Sequence, residues 1–286
     1  MSGPWGVPLA RDVVHATGPD AAAYLQGQLS QDVAGLPVGA SAPSLLLSPQ
    51  GHLVALLRVT RTGDEWFVLD SDAGSGEAVL ARLRRFLLRT RAELSAVDWA
   101  CVAVRGDGAL APADVADGLW VVEAETPGVP GYDLLGPAAA LPPGVEAGDP
   151  ATYEALRIER GVPRMGRELT ERTIPAEAGV VERAASFTKG CYTGQELVAR
   201  IDSRGGNVPR RLRGIVVDGA IAPPTGATVD VDDIEVGSVT SSATSPTLGA
   251  PVALAYAKRG SDVPSACRLR WEGGSASGRL LELPLT

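Results

Sequence analysis

Apolar residues follow two rhythms in the first half of the chain. From residue 21 to 33 an Ala-rich run puts Tyr24, Leu25 and Leu29 on one face of a helix, with Asp20 placed as its N-cap. Between residues 77 and 91, Val79, Leu80, Leu83, Phe86 and Leu87 form a second helical stripe. Arg82, Arg84, Arg85, Arg89 and Arg91 fill its other faces. Residues 44–47, 53–60 and 66–69 read as strands, with a turn at Ser48-Pro49-Gln50-Gly51 and a hairpin tip at Thr62-Gly63-Asp64-Glu65. Residues 100–104, 119–122 and 132–135 read as further strands. Asp149-Pro150 then pairs an N-cap with a first-position Pro, starting a helix that runs to about residue 160 and stops at Gly161.

After Pro209 the helical period disappears. Six short β-branched runs, at 212–217, 228–231, 235–240, 251–256, 267–271 and 279–283, alternate with Gly and Pro. They predict a small β-barrel or sandwich, with the boundary near residues 203–207. The fold class is therefore α+β followed by an all-β unit. No internal repeat of solenoid length is present.

Composition narrows the function classes. The 286 residues carry 34 acidic and 26 basic side chains, for a net charge of −8. That balance argues against wholesale nucleic-acid binding, so direct binding of nucleic acid is not expected. No apolar run reaches the ~18 residues of a membrane span, and the first residues lack a signal-peptide pattern. Two His (His15, His52) and three scattered Cys (Cys101, Cys191, Cys267) offer no zinc or iron–sulfur ligand spacing. The expectation is a cytoplasmic protein with no membrane contact and no metal site of its own. Of the basic residues 24 are Arg, and only Lys189 and Lys258 are Lys.

One of those two Lys opens the densest unusual segment, Lys189-Gly190-Cys191-Tyr192-Thr193-Gly194-Gln195-Glu196. Thr193-x-x-Glu196 reads as a capping box. It places Cys191 and Tyr192 just before a helix N-terminus, where free amides and the helix dipole favour anions and thiolates, and Lys189 adds positive charge. Gly190 and Gly194 permit close backbone approach. Against this, a lone Cys is more often an inert buried residue, and a capping box by itself marks only where a helix starts. Downstream, Arg200, Arg204, Arg210, Arg211 and Arg213 fall within 14 residues. They suit carboxylate or phosphate, or else form a solvated linker.

The eight-residue segment resembles the K-G-C-Y-x-G-Q-E signature of the YgfZ-type folate-binding proteins, relatives of the glycine-cleavage T-protein (aminomethyltransferase). The run from Asp20 to Val33 resembles that family's opening helix, and Leu47-Ser48-Pro49-Gln50-Gly51 its first turn. Leu156-Arg157-Ile158-Glu159-x-Gly161, Gly166-x-Glu168 and Ile174-Pro175-x-Glu177-Ala178-Gly179 resemble its linker, and Gly237-x-Val239-Thr240-Ser241 with Leu248-Gly249 its barrel.

The resemblance implies a cloverleaf: a folate-binding α+β region of two interleaved subdomains over residues 1–206, and a C-terminal β-barrel over 207–286. It implies a cytosolic monomer that binds tetrahydrofolate or another reduced folate. It also implies support for iron–sulfur enzymes or their assembly factors, tRNA-modifying ones included, with Cys191 as the functional thiol and Lys189 beside it. Asp133, in the Gly131-Tyr132-Asp133 triplet, would accept from the pterin, with Tyr132 next to it. Arg157 would pair with folate carboxylate; its local alternative is a solvated helix face beside Glu159, with Tyr153 or Glu154 one turn back as its contact. Tyr192 and Gln195 would be ligand contacts or structural neighbours, and Gly190, Gly194, Glu196 and Arg200 would complete the segment. T-proteins carry paired acids after the first turn, where this chain has Ala55 and Leu56. Those residues cannot bind or move a proton. The alternative reading, a folate-dependent aminomethyl or methyl transferase, then requires a different catalytic set.

Overall fold

Two five-stranded sheets and a closed six-stranded barrel carry the chain. The computed structural model describes residues 3–112, 115–203 and 205–285. The N-terminal elements are β1 (Trp5–Leu9), β2 (Arg11–Thr17), α1 (Ala21–Gln28), β3 (Ser41–Leu47), β4 (Leu53–Gly63), β5 (Trp66–Asp72), α2 (Gly76–Arg84) and β6 (Glu93–Val97). Next come β7 (Ala100–Arg105), β8 (Trp120–Glu123), β9 (Gly131–Gly136), β10 (Glu146–Ala147) and α3 (Pro150–Glu159). A 3₁₀ turn (Pro175–Ala178), α4 (Val181–Ala184) and α5 (Gln195–Ser203) link them to the barrel. The barrel strands are β11 (Arg210–Val217), β12 (Thr228–Val231), β13 (Ile234–Ser245), β14 (Ala250–Lys258), β15 (Ser265–Trp271) and β16 (Gly274–Leu281).

The first sheet is ordered β3-β4-β5-β2-β6 and the second β10-β1-β7-β9-β8. The chain thus opens in the second sheet with β1, builds the whole first sheet, and returns. The core of the first sheet gathers Tyr24, Leu25, Leu29, Phe67, Val79 and Leu83 under α1 and α2. The barrel closes in the order β11-β14-β13-β12-β15-β16 around Ile215, Val229, Val239, Ala255 and Leu269. All six runs predicted after Pro209 are strands of this barrel, so the α+β class with an all-β C-terminal unit is the observed one.

Both N-terminal helices end earlier than their apolar stripes predict. α1 stops at Gln28 because the Ser30 amide bonds the Leu45 carbonyl and draws the chain onto β3. The Gln26 side chain meanwhile accepts from the Val33 and Ala34 amides. Asp20 does not cap α1; its carboxylate takes the Arg91 amide and guanidinium instead. α2 ends at Arg84, and Arg89 turns left-handed at φ 58°. Phe86, predicted in the stripe, consequently lies exposed, as does Leu88 after it.

Candidate functional site

The signature segment is bound tightly to the first sheet's helix and turn. Lys189 Nζ donates to three backbone carbonyls at the C-terminal end of α1: Gln26 at 2.6 Å, Leu29 at 2.7 Å and Gln31 at 2.7 Å. These include last-turn carbonyls that a helix cannot satisfy by itself. Burial pulls the Lys189 ammonium down to about 8, with Asp32 pulling the other way. Its charge also sits 5.4 Å from the centre of the Tyr192 ring. Tyr192 is buried with Leu47, Leu53 and Leu56. The Thr193 amide bonds the Gly27 carbonyl at 3.1 Å.

Gly194 has φ 82°, and a Cβ there would lie 2.5 Å from the Ser48 carbonyl. The turn at residues 48–51 therefore docks on it backbone to backbone. At the start of α5 the Gln195 side chain reaches back, its Oε1 accepting from the Tyr192 amide at 3.0 Å. This corrects the expected Thr193–Glu196 box: Thr193 is turned toward α1, and Glu196 lies exposed with Arg200. Gly190 faces open space.

Cys191 is free and exposed. Its neighbours Lys189, Tyr192, Thr193, Gly194 and Gln195 all hold the segment in place, and among the described residues no such hydrogen bond engages the thiol. Replacing Lys189 with Met leaves three carbonyls at the α1 terminus without their donor. We expect a loss of about 2–3 kcal/mol, read as a lower denaturant midpoint, with faster proteolysis of the chain around residue 190.

A second constellation lies where the two sheets meet. Asp70 is wholly buried and accepts from Arg58 Nε and Nη2, both at 3.0 Å, and from Arg11 Nε at 2.9 Å. Burial would raise its carboxyl, but Arg58 and Arg11 outweigh that and hold it below the usual Asp value. Arg58 Nη1 crosses to Asp133 on β9 at 2.7 Å, and Arg105 approaches the same carboxylate at 2.8 Å. Arg11 also reaches Asp72 at 3.1 Å. Sequence patterning missed Arg11, Arg58, Asp70, Asp72 and Arg105. The available signals were an Arg interrupting the apolar run of β4 and the alternating Asp70-x-Asp72 at the end of β5.

Beside this cluster is a cavity of about 30 Å³ lined by Leu56, Asp133, Tyr153 and Arg157, room for roughly one water. Leu56, one of the two positions where the family resemblance sets an expectation of an acid, faces it, while Ala55 points into the first sheet's core. Asp133 sits mid-strand between two arginines. Tyr132 points to the other side of β9, among Val102, Val104 and Leu134. Arg157 is 1% exposed, which corrects the solvated-face expectation. Its five N–H groups are engaged by Glu154 (two), Glu168, Ser241 and the Val162 carbonyl.

The structure thus brings Asp133 and Arg157 together around one cavity. No residue of the signature segment lines it.

Two larger cavities lie alongside. One, of about 340 Å³, is lined by Pro43, Arg58, Glu123, Glu125, Pro127 and Arg183. The next, of about 290 Å³, shares Pro127 and Arg183 with it and adds Arg160, Arg211 and Arg213, with Glu177 and Glu282 between them. From the Arg-rich stretch, then, Arg211 and Arg213 line a cavity. Arg210 pairs with Glu177 at 3.1 Å, and Arg204 lies outside the described residues. No helix among the described residues is long and apolar enough to cross a membrane.

Sheets and barrel meeting at a shared junction define an aminomethyltransferase-type fold. A crystal structure of the glycine cleavage system aminomethyltransferase T from Bartonella henselae superposes with a TM-score of 0.84 over 99% of this chain and 86% of that one, at 21% identity. Residues 210–284 match the glycine cleavage T-protein C-terminal barrel domain. An aminomethyltransferase of Streptomyces avermitilis is 30% identical over 85% of this chain and 75% of its own length. An uncharacterized protein of Haemophilus influenzae is 30% identical over 68% of this chain and 67% of its own length. The chain belongs to the glycine-cleavage T-protein-related family of folate-binding proteins.

Proposed function

We propose that this protein is a reduced-folate-binding accessory factor that acts through Cys191 in support of iron–sulfur enzymes, including tRNA-modifying ones, in the cytoplasm. The observation that carries the reading is the division of labour in the signature segment. Five of its residues grip α1, the first turn or α5, and the cysteine they flank is free and exposed. Among the described residues no group of three His, Cys, Asp or Glu is arranged to hold a metal ion. The reading accordingly assigns the cluster to the partner protein. Leu56 argues against aminomethyl transfer by this chain, since no carboxylate stands at that position to position or stabilise charge.

The small central cavity does not fit a pterin as it stands, and the partners of Asp133 and Arg157 are internal. The adjoining 340 Å³ cavity lies within the size range of ligand sites. Glu123 and Glu125 there can accept from pterin N–H groups. The Arg-lined cavity beyond Arg183 suits the carboxylates of a glutamate tail.

Calorimetric titration with tetrahydrofolate mono- and triglutamate tests this. The triglutamate is expected to bind roughly tenfold more tightly, a difference of about 1.4 kcal/mol, and Arg183→Ala with Arg211→Ala to remove that advantage. Absence of saturable binding of either form below roughly 1 mM overturns the folate reading.

A further inference from the structure

Of the three Phe in the chain, Phe67 is packed in the core of the first sheet, while Phe86 is 39% exposed and Phe187 52% exposed. Both exposed ones belong to segments fastened to the C-terminal end of α1, where Cys191 is held. The Arg82 guanidinium lies 4.3 Å from the centre of the Phe86 ring. Arg82 Nη1 donates to Gln28 Oε1 at 3.2 Å, and the Thr193 hydroxyl, two residues from Cys191, donates to the same oxygen at 3.5 Å. Phe187 stands between Ser186, whose amide bonds the Ser30 carbonyl, and Lys189 on the carbonyls of Gln26, Leu29 and Gln31. Leu88, two residues past Phe86, is 85% exposed.

The charge here opposes that of the whole chain. Against a net charge of −8, the stretch between Glu77 and Glu93 holds five Arg and no acid. Arg91 is paired with Asp20. Arg84, Arg85 and Arg89 are exposed, and among the described residues no carboxylate pairs with them. The signature segment adds Lys189 and one acid, Glu196. Exposed apolar side chains rimmed by charge mark interaction surfaces, and Phe and Arg are enriched at protein interfaces.

We propose that Phe86, Leu88 and Phe187, with Arg85 and Arg89, form the surface that docks an acidic protein partner beside Cys191. The rings and Leu88 supply the apolar centre that a partner would cover, and the unpaired guanidiniums steer and orient acidic side chains around it. The proposal rests on the reading of Cys191 as the working thiol.

Thiol–disulfide exchange tests the surface directly on the full chain. The probes are two short Leu-containing peptides, each with a central Cys activated as its 2-thiopyridyl disulfide, one flanked by Glu and the other by Lys. The Cys191 thiol gives its proton to solvent, and its thiolate attacks the peptide sulfur. Pyridine-2-thiolate leaves and is protonated to the thione, whose absorbance gives the rate. Cys101 and Cys267 are buried, and Cys191→Ser supplies the blank. Rates are divided by those for neutral 2,2′-dithiodipyridine, which cancels differences in thiolate fraction.

The Glu peptide is expected to react about tenfold faster than the Lys peptide at about 20 mM salt, the two converging near 0.5 M. Arg85→Glu with Arg89→Glu should abolish or reverse that preference. Phe86→Ser and, independently, Phe187→Ser should slow the Glu peptide about threefold. Thermal melting establishes that each variant folds. Equal rates for the two peptides in the wild type, or a preference unchanged in the folded Arg variant, overturns the proposal. So does sedimentation with phosphatidylglycerol vesicles that the Arg variant loses, which would make the patch a membrane contact. Failure of the thiol reading is seen elsewhere, in complementation by Cys191→Ser, and leaves the charge preference in place.

Discussion

Asp70→Asn is expected to lower the stability of the protein by about 3–5 kcal/mol. The substitution keeps the shape of the side chain and removes the charge that Arg58 and Arg11 face inside the fold. Both guanidiniums stay buried, so their desolvation is no longer offset. The measurement is the denaturant midpoint at unchanged slope. Asp64→Asn, at an exposed pair 3.7 Å from Arg61, provides the contrast and should fall within about 0.5 kcal/mol of wild type. The effect should also depend on pH. Asp70 titrates below its ordinary value of 3.8 in the fold. Its contribution is therefore complete above that value and is lost as the pH falls through the lower folded one. Wild type and variant should differ fully at pH 6 and converge in strong acid. A difference that persists unchanged down to about pH 2 would show that the ion pairs do not carry the stability.

Cys191→Ser is expected to do the opposite: abolish function and leave the fold alone. The thiol is exposed and free, so the denaturant midpoint should move by no more than about 0.5 kcal/mol. Tetrahydrofolate binding should likewise be retained, because no signature residue lines the central cavity or the two cavities beside it. Activity of iron–sulfur enzymes in cells carrying the variant as their only copy should fall to the level of a deletion. Full complementation by the serine variant would reduce the segment to a docking or structural element.

These two outcomes separate what patterning along the chain can read from what it cannot. The six barrel strands were legible because each is a short β-branched run between Gly and Pro punctuation. The start of α3 was legible because Asp149 and Pro150 act within one turn, and Asp149 does accept from the Ala151 amide. The signature was legible as a string, but its mechanics were not. The side chain that reaches back at the start of α5 is Gln195, to the Tyr192 amide, rather than Glu196, and Lys189 reaches a helix some 160 residues upstream. β1, β2, β6 and the two-residue β10 went unread: their pairing partners lie elsewhere in the chain, and Arg11 and Asp12 interrupt any apolar rhythm. The buried ion cluster was invisible for the same reason, since Arg58 and Asp133 stand 75 positions apart. Local period reports which face is apolar. It does not report which distant charge comes to meet an arginine set in a strand.

The reach of Lys189 also has a consequence in time. During synthesis α1 emerges long before the side chain that satisfies its C-terminal carbonyls, which lies 158–163 positions later. At typical elongation rates that gap is roughly 10–30 s. Throughout that interval the first helix has an open end on the ribosome. When Lys189 arrives, the same step that closes the helix also sets Cys191 in its final position two residues on. The thiol is thus displayed in its native setting only by chains whose N-terminal half has already assembled, and nascent or truncated chains lack that display.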